Sequence, residues 1–331
     1  MDEKKLIDEI INGFAPKDKA EAADSAAERL VDGYDVLYGE GELEEESELG
    51  NPRAQYQLAE IYDSGPLEKR DYNKAVRLYE LSALQGYDKA QNAYGWCFFI
   101  GKVVEKNLPE ATRWFRRAAK QGNARAQYNL AKCYENGAGL MQDIDKAFTW
   151  YLKAAQQGDD RAQLQVARSF QVGNGVRVDG AEAVKWYQKS AIQGNAEAAN
   201  DLGYCYQYGV GVKRDSEMAF SFYMQSAENN CAMGAYNVAA CYHHGRCVKK
   251  DVGKALKWYE MAAELGDCTA QYFLGYFYEK GIAVGVDLQK AAAYYSESYK
   301  NGERYAFKRL KKKKFARYVN LKVNCQTKSN T

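Results

Sequence analysis

The sequence predicts an all-α protein, a right-handed α/α solenoid of seven 36-residue helix-turn-helix repeats with helical caps. Three observations carry this expectation. The 331-residue chain matches itself at a shift of 36: units open at Ala54, Ala90, Ala126, Ala162, Ala198, Gly234 and Ala270 with no insertion or deletion, and a broken eighth copy opens at Ala306. Self-similarity at a fixed period of about 20 to 50 residues marks a solenoid, because one short unit cannot bury its apolar faces alone and must stack on neighbours. Two columns of the repeat are glycine in nearly every copy, and the apolar residues between them recur at helical rather than strand spacing.

The chain opens on a segment that fits the repeat poorly. Residues 1–53 hold 16 acidic side chains against 6 basic ones, a net of −10. Leu6, Ile7, Ile10 and Ile11 form one short amphipathic pattern and Ala20 to Val31 a second, and Glu40 to Glu48 reads as an acidic helix ending at Gly50. A solenoid needs a polar outer face at each end, so 1–53 is expected to be an N-terminal cap. The alternative is an acidic docking segment.

Within each repeat, helix A is expected over positions 1 to 11 and helix B over about 19 to 32. Position 12 is always Gly (Gly65, Gly101, Gly137, Gly173, Gly209, Gly245, Gly281), and position 33 is Gly six times and Asn230 once. Both columns read as left-handed helix ends. Position 18 is Asp71, Asn107, Asp143, Asp179, Asp215, Asp251 and Asp287, whose side-chain oxygen can accept the orphan amide hydrogens that open helix B. Helix A carries apolar or small residues at positions 1, 5, 8, 9 and 12, the spacing of one buried stripe. Position 9 is always aromatic, and in helix B the invariant Ala of position 22 stands four residues before another all-aromatic column, Tyr79 to Tyr295. Both ring columns are expected in the core, where a small residue facing a ring lets helices approach closely.

After Ala306 the chain begins as an eighth helix A and turns basic. Residues 304–331 hold 10 Lys and Arg and no acid. Phe307, Leu310 and Phe315 are placed to pack on the seventh repeat, so 306–331 is expected to be a partial repeat, a capping helix and a tail. The run KRLKKKK also has the composition of a nuclear-import signal, a nucleic-acid patch or an anionic-lipid patch.

The pattern AQY-x-L-[AG]-x-x-Y-x-x-G, an Asp before KA, then WY-x-x-AA-x-x-G-N, resembles the Sel-one-like repeat (SLR) family, relatives of the tetratricopeptide repeat. The resemblance covers Ala54 to Tyr305, divided as 54–89, 90–125, 126–161, 162–197, 198–233, 234–269 and 270–305. It is interrupted by Pro66 and Glu68 in the first loop, by Asn230 in the fifth copy and by Gly234 at the start of the sixth. It implies a protein-interaction scaffold or adaptor whose superhelix binds a partner on its concave side.

No apolar run has the length of a secretory signal or a membrane helix, which implies a cytoplasmic protein. The cysteines agree. Cys97, Cys133, Cys205 and Cys241 share position 8, where other copies carry Ile61, Ser169 and Phe277; neighbouring copies stand about 10 Å apart at ordinary helix spacing, beyond the ~7 Å limit of a disulfide. Reduced thiols are therefore expected, a departure from the cysteine-rich secreted SLR proteins with one bridge per repeat. Cys325 lies too far from the end for the prenylation motif of some fungal relatives.

The histidines are few: His243 and His244 stand in CYHHGRC. Cys241 and His244 are one helical turn apart and Cys247 follows in the loop, giving up to three metal-type ligands, but the spacing matches no standard zinc pattern. Cys231 and Cys268 could meet through neighbouring turns. Nucleophilic catalysis needs a base beside its nucleophile and a third group to orient it, and no phosphate loop or penicillin-binding motif set accompanies these residues, so a hydrolase of the β-lactamase-like type known among some relatives is a remote alternative. No catalytic residue, cofactor or metal is expected.

What remains is surface. Positions 3, 7, 10 and 11 of helix A form a ridge opposite the buried stripe, and they vary where core positions do not. In the first repeats the ridge carries Trp96, Phe99, Ile100, Tyr128 and Lys132; later ones carry Arg168, Tyr204, Tyr208, Tyr236, Tyr272 and Tyr276. Tyr, Trp and Arg dominate binding energy at interfaces. In SLR relatives this ridge lines the concave face, so these eleven residues are the expected contact surface for a protein or peptide partner, with the protein itself a monomer. The alternative is a nucleic-acid or anionic-membrane binder acting through the basic tail, which would show as steep salt dependence.

Overall fold

The computed structural model describes residues 40–316 and 318. The two amphipathic patterns before Glu40 and the tail with Cys325 lie outside the described residues. Among the described residues there are sixteen α-helices, two 3-10 turns and no strand, the α/α solenoid class the repeat predicts. No described helix is long and apolar enough to cross a membrane. The chain divides into two compact units, Met1–Trp150 and Tyr151–Thr331.

In the first unit, α1 (Glu40–Glu48) is followed by α2 (Pro52–Ser64), α3 (Tyr72–Leu84), α4 (Asp88–Ile100), α5 (Leu108–Lys120) and α6 (Ala124–Asn136), and α7 (Ile144–Gln156) crosses its end. Each repeat helix has 13 residues, and helix A begins two residues earlier than the expected boundary. The cause is an unforeseen cap. Asn51 and Asn123 accept backbone amide hydrogens of their helices through their side chains, as Asp71 and Asn107 do at α3 and α5. The acidic α1 is in place, with Leu43 buried and the carbonyl of Ser47 accepting from Gln55 at 3.2 Å.

One expected cap differs. Gly101 and Gly137 end α4 and α6 in the left-handed conformation, but Gly65 ends α2 extended, with φ −65° and ψ −171°. Pro66 explains it, since the residue before proline is driven to extended backbone. The chain turns instead through a 3-10 segment, Leu67–Lys69, and Arg70 Nε donates to the Gly65 carbonyl at 2.7 Å.

The second unit continues from α7 with α8 (Asp160–Val172), α9 (Gly180–Ile192), α10 (Ala196–Tyr208), α11 (Ser216–Glu228), α12 (Ala232–His244), α13 (Val252–Glu264), α14 (Cys268–Lys280) and α15 (Leu288–Lys300), and closes with α16 (Arg304–Leu310) and a 3-10 turn, Lys313–Phe315. Gly173, Gly209, Gly245 and Gly281 end its first helices left-handed. Asn230 takes the left-handed conformation at φ 59° in the column where its neighbours have Gly. Leu310 and Phe315 are buried with Tyr295, and the Phe307 ring stacks on Tyr299 at 4.9 Å.

The core of each unit follows the columns. The helix B rings Tyr79 and Phe115 in the first unit, and Tyr187, Tyr223, Tyr259 and Tyr295 in the second, are buried, as are the four position 8 cysteines. Burying such a ring contributes roughly 1.5–3 kcal/mol. The small residue that faces the ring stands at position 6 of helix A: a β-carbon on Gly95 would lie 3.0 Å from the Phe115 ring, and one on Gly275 would lie 2.8 Å from Tyr295. The position 9 rings behave otherwise. Most are half-buried, and in copies with a KA pair its Lys lies over the ring: Lys74 over Tyr62 at 5.2 Å, Lys254 over Tyr242 at 5.3 Å and Lys290 over Tyr278 at 5.3 Å. These are cation–π contacts at the edge of the core.

Adjacent repeats are pinned by a buried glutamine. Gln91 donates to the Ala83 carbonyl at 3.2 Å and accepts from Gln121 at 2.8 Å. Gln163 does the same with Ala155 and Gln193, and Gln271 with Ala263 and Asn301. Such a group is tolerated in the interior only because both ends of the amide are satisfied.

Candidate functional site

In the first unit, α4 presents Trp96, Phe99 and Ile100. The Trp96 and Phe99 rings stack at 5.2 Å and 11°, and Trp96 and Ile100 are each 46% exposed. Phe99 also reaches the buried Phe115 ring, at 6.3 Å, so position 10 is shared between surface and core. On α6, Tyr128 is half-buried and Lys132 pairs with Glu135 at 3.0 Å. Beside them Asn129 donates to Asn92 Oδ1 at 2.8 Å, joining α6 to α4.

The second unit separates its six candidates. Arg168 on α8 is engaged with two carboxylates of α10, Asp201 at 2.8 Å and Glu197 at 3.0 Å. Burial pushes the Asp201 carboxyl up, and Arg168 works against that rise. Tyr204 and Tyr208 lie 4.6 Å apart and are 44% and 52% exposed. Tyr236 is half-buried, with Tyr259 at 6.0 Å and Phe273 at 6.1 Å. Tyr272 and Tyr276 are covered from the C-terminal side: Arg309 Nε donates to the Tyr272 hydroxyl at 3.1 Å, and its guanidinium lies 5.2 Å from the Tyr276 ring.

Tyr204, Tyr208 and Tyr236 meet at a cavity of about 390 Å³ between α10 and α12. Three further lining residues, Asp201, Asn237 and Arg246, are absent from the ridge as read from the sequence, while Asn200 holds its position 3 without being among the eleven expected contacts. Asn237 donates to Asn200 Oδ1 at 2.7 Å, repeating the Asn129–Asn92 pair of the first unit. That recurrence, an Asn at position 3 answered by an Asn at position 4 of the following copy, is a signal the sequence does carry. Arg246 comes from the loop after α12, where periodicity is silent.

The cluster CYHHGRC is dispersed by the helix. His243 turns inward, its Nδ1 3.2 Å from the Tyr259 hydroxyl, and His244 stacks on it at 4.6 Å. Burial lowers both imidazoles below their ordinary value, helped for His243 by His244 and for His244 by Arg246. The Cys241 thiol donates to Cys247; that bond holds Cys247 below its ordinary value and raises Cys241, which burial raises further. Among the described residues no three His, Cys, Asp or Glu side chains gather as a ligand set for a metal ion.

Part of the basic segment reaches inward to Glu279, while Lys308, Lys311 and Lys313 stay exposed. Glu279 is buried and accepts from the Tyr295 hydroxyl at 2.7 Å, with Lys314 at 2.8 Å and Arg309 at 3.5 Å. Burial alone would raise its carboxyl, but the hydrogen bonds from Lys314 and Tyr295 and the neighbouring cations outweigh it and hold it below the usual glutamate range.

The model of the Sel1 repeat matches seven successive segments, 52–87, 88–123, 124–159, 160–195, 196–231, 232–267 and 269–303. The first six open two residues before the units read from the sequence, where helix A begins. Among solved structures, a protective antigen of uropathogenic Escherichia coli strains displaying an SLR fold is 31% identical with a TM-score of 0.71; the match covers 82% of this chain and 58% of that one. The chain thus spans less than two thirds of that antigen's length. A Sel1 repeat protein from Oxalobacter formigenes is 31% identical with a TM-score of 0.69, over 74% of this chain and 96% of that one. No curated protein matches the chain.

Proposed function

The chain belongs to the Sel1-repeat family, and from that premise we propose that it is a non-enzymatic scaffold or adaptor that holds a peptide or protein segment against the exposed face of its first helices. Proteins of the family commonly mediate protein–protein interaction. The observation that carries the reading is the pairing of large rings on that face: exposed Trp96 stacked on half-buried Phe99 in one unit, and exposed Tyr204 beside exposed Tyr208 in the other. Exposed rings grouped beside hydrogen-bonding side chains are a common make-up of partner sites. In this reading 1–53 and 306–331 are caps, and the buried thiols of position 8 are in keeping with a reducing compartment such as the cytoplasm. Of the basic segment, Arg309 and Lys314 are committed to Glu279, and Lys308, Lys311 and Lys313 remain exposed.

The test is affinity capture from native lysate with mass spectrometry, comparing the parent with Trp96→Ala/Tyr204→Ala/Tyr208→Ala and with a chain ending at Phe307, after circular dichroism has shown equal helicity. A protein lost only with the triple variant supports the reading. Identical sets from all three would move the binding surface elsewhere.

A further inference from the structure

The cavity between α10 and α12 holds a charge that its surroundings leave unanswered, and we infer that it receives an acidic peptide segment: a short extended stretch of a partner protein in which an Asp or Glu stands close to an aromatic or aliphatic residue. This rests on the partner-binding reading above and names what that face takes up in the second unit.

The argument begins with charge. Asp201 lines the cavity but is engaged with Arg168, so its carboxylate is answered from within. Arg246, also lining, has no carboxylate within ion-pairing distance among the described residues. Its loop adds Lys249 and Lys250, both exposed, and Lys250 and Arg246 act on the adjacent imidazoles as like charges. Burial and the neighbouring Arg246 disfavour a charge on His244, so the cation at this end is Arg246 rather than the imidazole. The rim at this end is therefore positive through Arg246, the side chain suited to bidentate recognition of a carboxylate.

The remaining walls fit a peptide rather than a free anion. The Tyr204 and Tyr208 rings, 4.6 Å apart and about half exposed, offer an apolar slot for a side chain. Asn237 spends one amide hydrogen on Asn200, leaving its other hydrogen and its carbonyl oxygen for a main-chain amide. A volume of about 390 Å³ lies within the ordinary range of ligand sites, about 300–1,000 Å³, enough for two or three residues of an extended chain. A basic segment would set like charge against Arg246, and an acidic one pairs with it.

The experiment selects binders of the full chain from a displayed library of random short peptides, then measures the affinity of the enriched peptides for variants. We expect enriched sequences to carry Asp or Glu within a few residues of an aromatic or aliphatic residue. Their affinity falls about tenfold or more in Arg246→Ala and in Tyr204→Ala/Tyr208→Ala, and Arg246→Glu selects Lys or Arg in place of the acid. Arg246 is exposed, so its substitution tests recognition rather than folding. Enrichment without acidic bias, or affinity indifferent to Arg246→Glu, overturns the acidic occupant while leaving the partner face standing if the tyrosine pair still matters. Binding indifferent to both sets of variants, or no enrichment at all, counts against both.

Discussion

Gly211 and Gly139 do work that their conformation alone would not reveal. Each stands in the loop after helix A, and a β-carbon there would overlap the backbone opening helix B of the preceding repeat, at Gly180 and Leu108 respectively. Gly137 is different. At φ 67° its β-carbon would meet Gln142 at an ordinary 3.5 Å, so a substitution there suffers left-handed strain alone. Gly137→Val should therefore cost somewhat more than about 1 kcal/mol, whereas Gly211→Ala, which adds a backbone clash to the same strain, should cost about 3 kcal/mol. Urea denaturation of the two variants measures the order, and the reverse order would mean that the loop has room to withdraw. The sequence marked position 12 by its regularity, but the close approach at position 14 was hidden in it, because that glycine answers to a neighbouring repeat and not to its own helix.

Among the elements, the terminal turn Lys313–Phe315 is short yet closes the last repeat. Phe315 is buried against Tyr295, with ring centroids 5.7 Å apart, and Phe315→Ala should cost about 3–5 kcal/mol. Glu279 secures the same closure by charge. Its folded pKa lies below its unfolded one, so the carboxylate adds stability that is present above the ordinary glutamate pKa and lost as pH falls through the folded value. Glu279→Gln should destabilise at pH 7 by on the order of 1–3 kcal/mol, and the difference from the parent should narrow below about pH 4; thermal melts at several pH values read this directly, and a difference constant with pH would assign the loss to packing alone. The caps of helix B were legible because Asp71 to Asp287 stand at a fixed offset before an apolar period. The caps of helix A carry the same signal at Asn51, Asn123, Asp159, Asn195 and Asp267, but it is broken by Tyr87 and Cys231, whose helices start without a side-chain cap.

For the whole molecule, stability in a stack of repeats is a sum of local terms and nearest-neighbour terms. Phe315→Ala should accordingly raise amide exchange most in α15 and α14, less in α12 and α13, and leave α2 to α5 at the parent rate; hydrogen-exchange mass spectrometry resolves those segments, and uniform loss of protection along the chain would show a single cooperative unit instead. At this scale the fold was readable from period and caps alone. The candidate site was readable only in part. Tyr204, Tyr208 and Tyr236 follow from the ridge, while Asp201, Asn237 and Arg246 come to the cavity from positions whose neighbours lie one repeat away or in a loop. Position 10 is shared between ridge and core for a related reason: its partner is across the repeat, on helix B.

That last pairing has a consequence for how such a protein can change. Where the helix B ring is Phe115, position 10 is another ring, Phe99; where it is Tyr187, Tyr223 or Tyr295, position 10 is an acceptor, Gln171, Gln207 or Glu279, that takes the hydroxyl. Lock and key sit in one helical hairpin. A gene duplication or exchange that breaks between hairpins moves both halves together and leaves each hydroxyl answered, whereas a break inside a hairpin would strand a buried phenol opposite a phenyl ring. The hairpin, rather than the single helix, is the smallest piece this chain can gain, lose or trade.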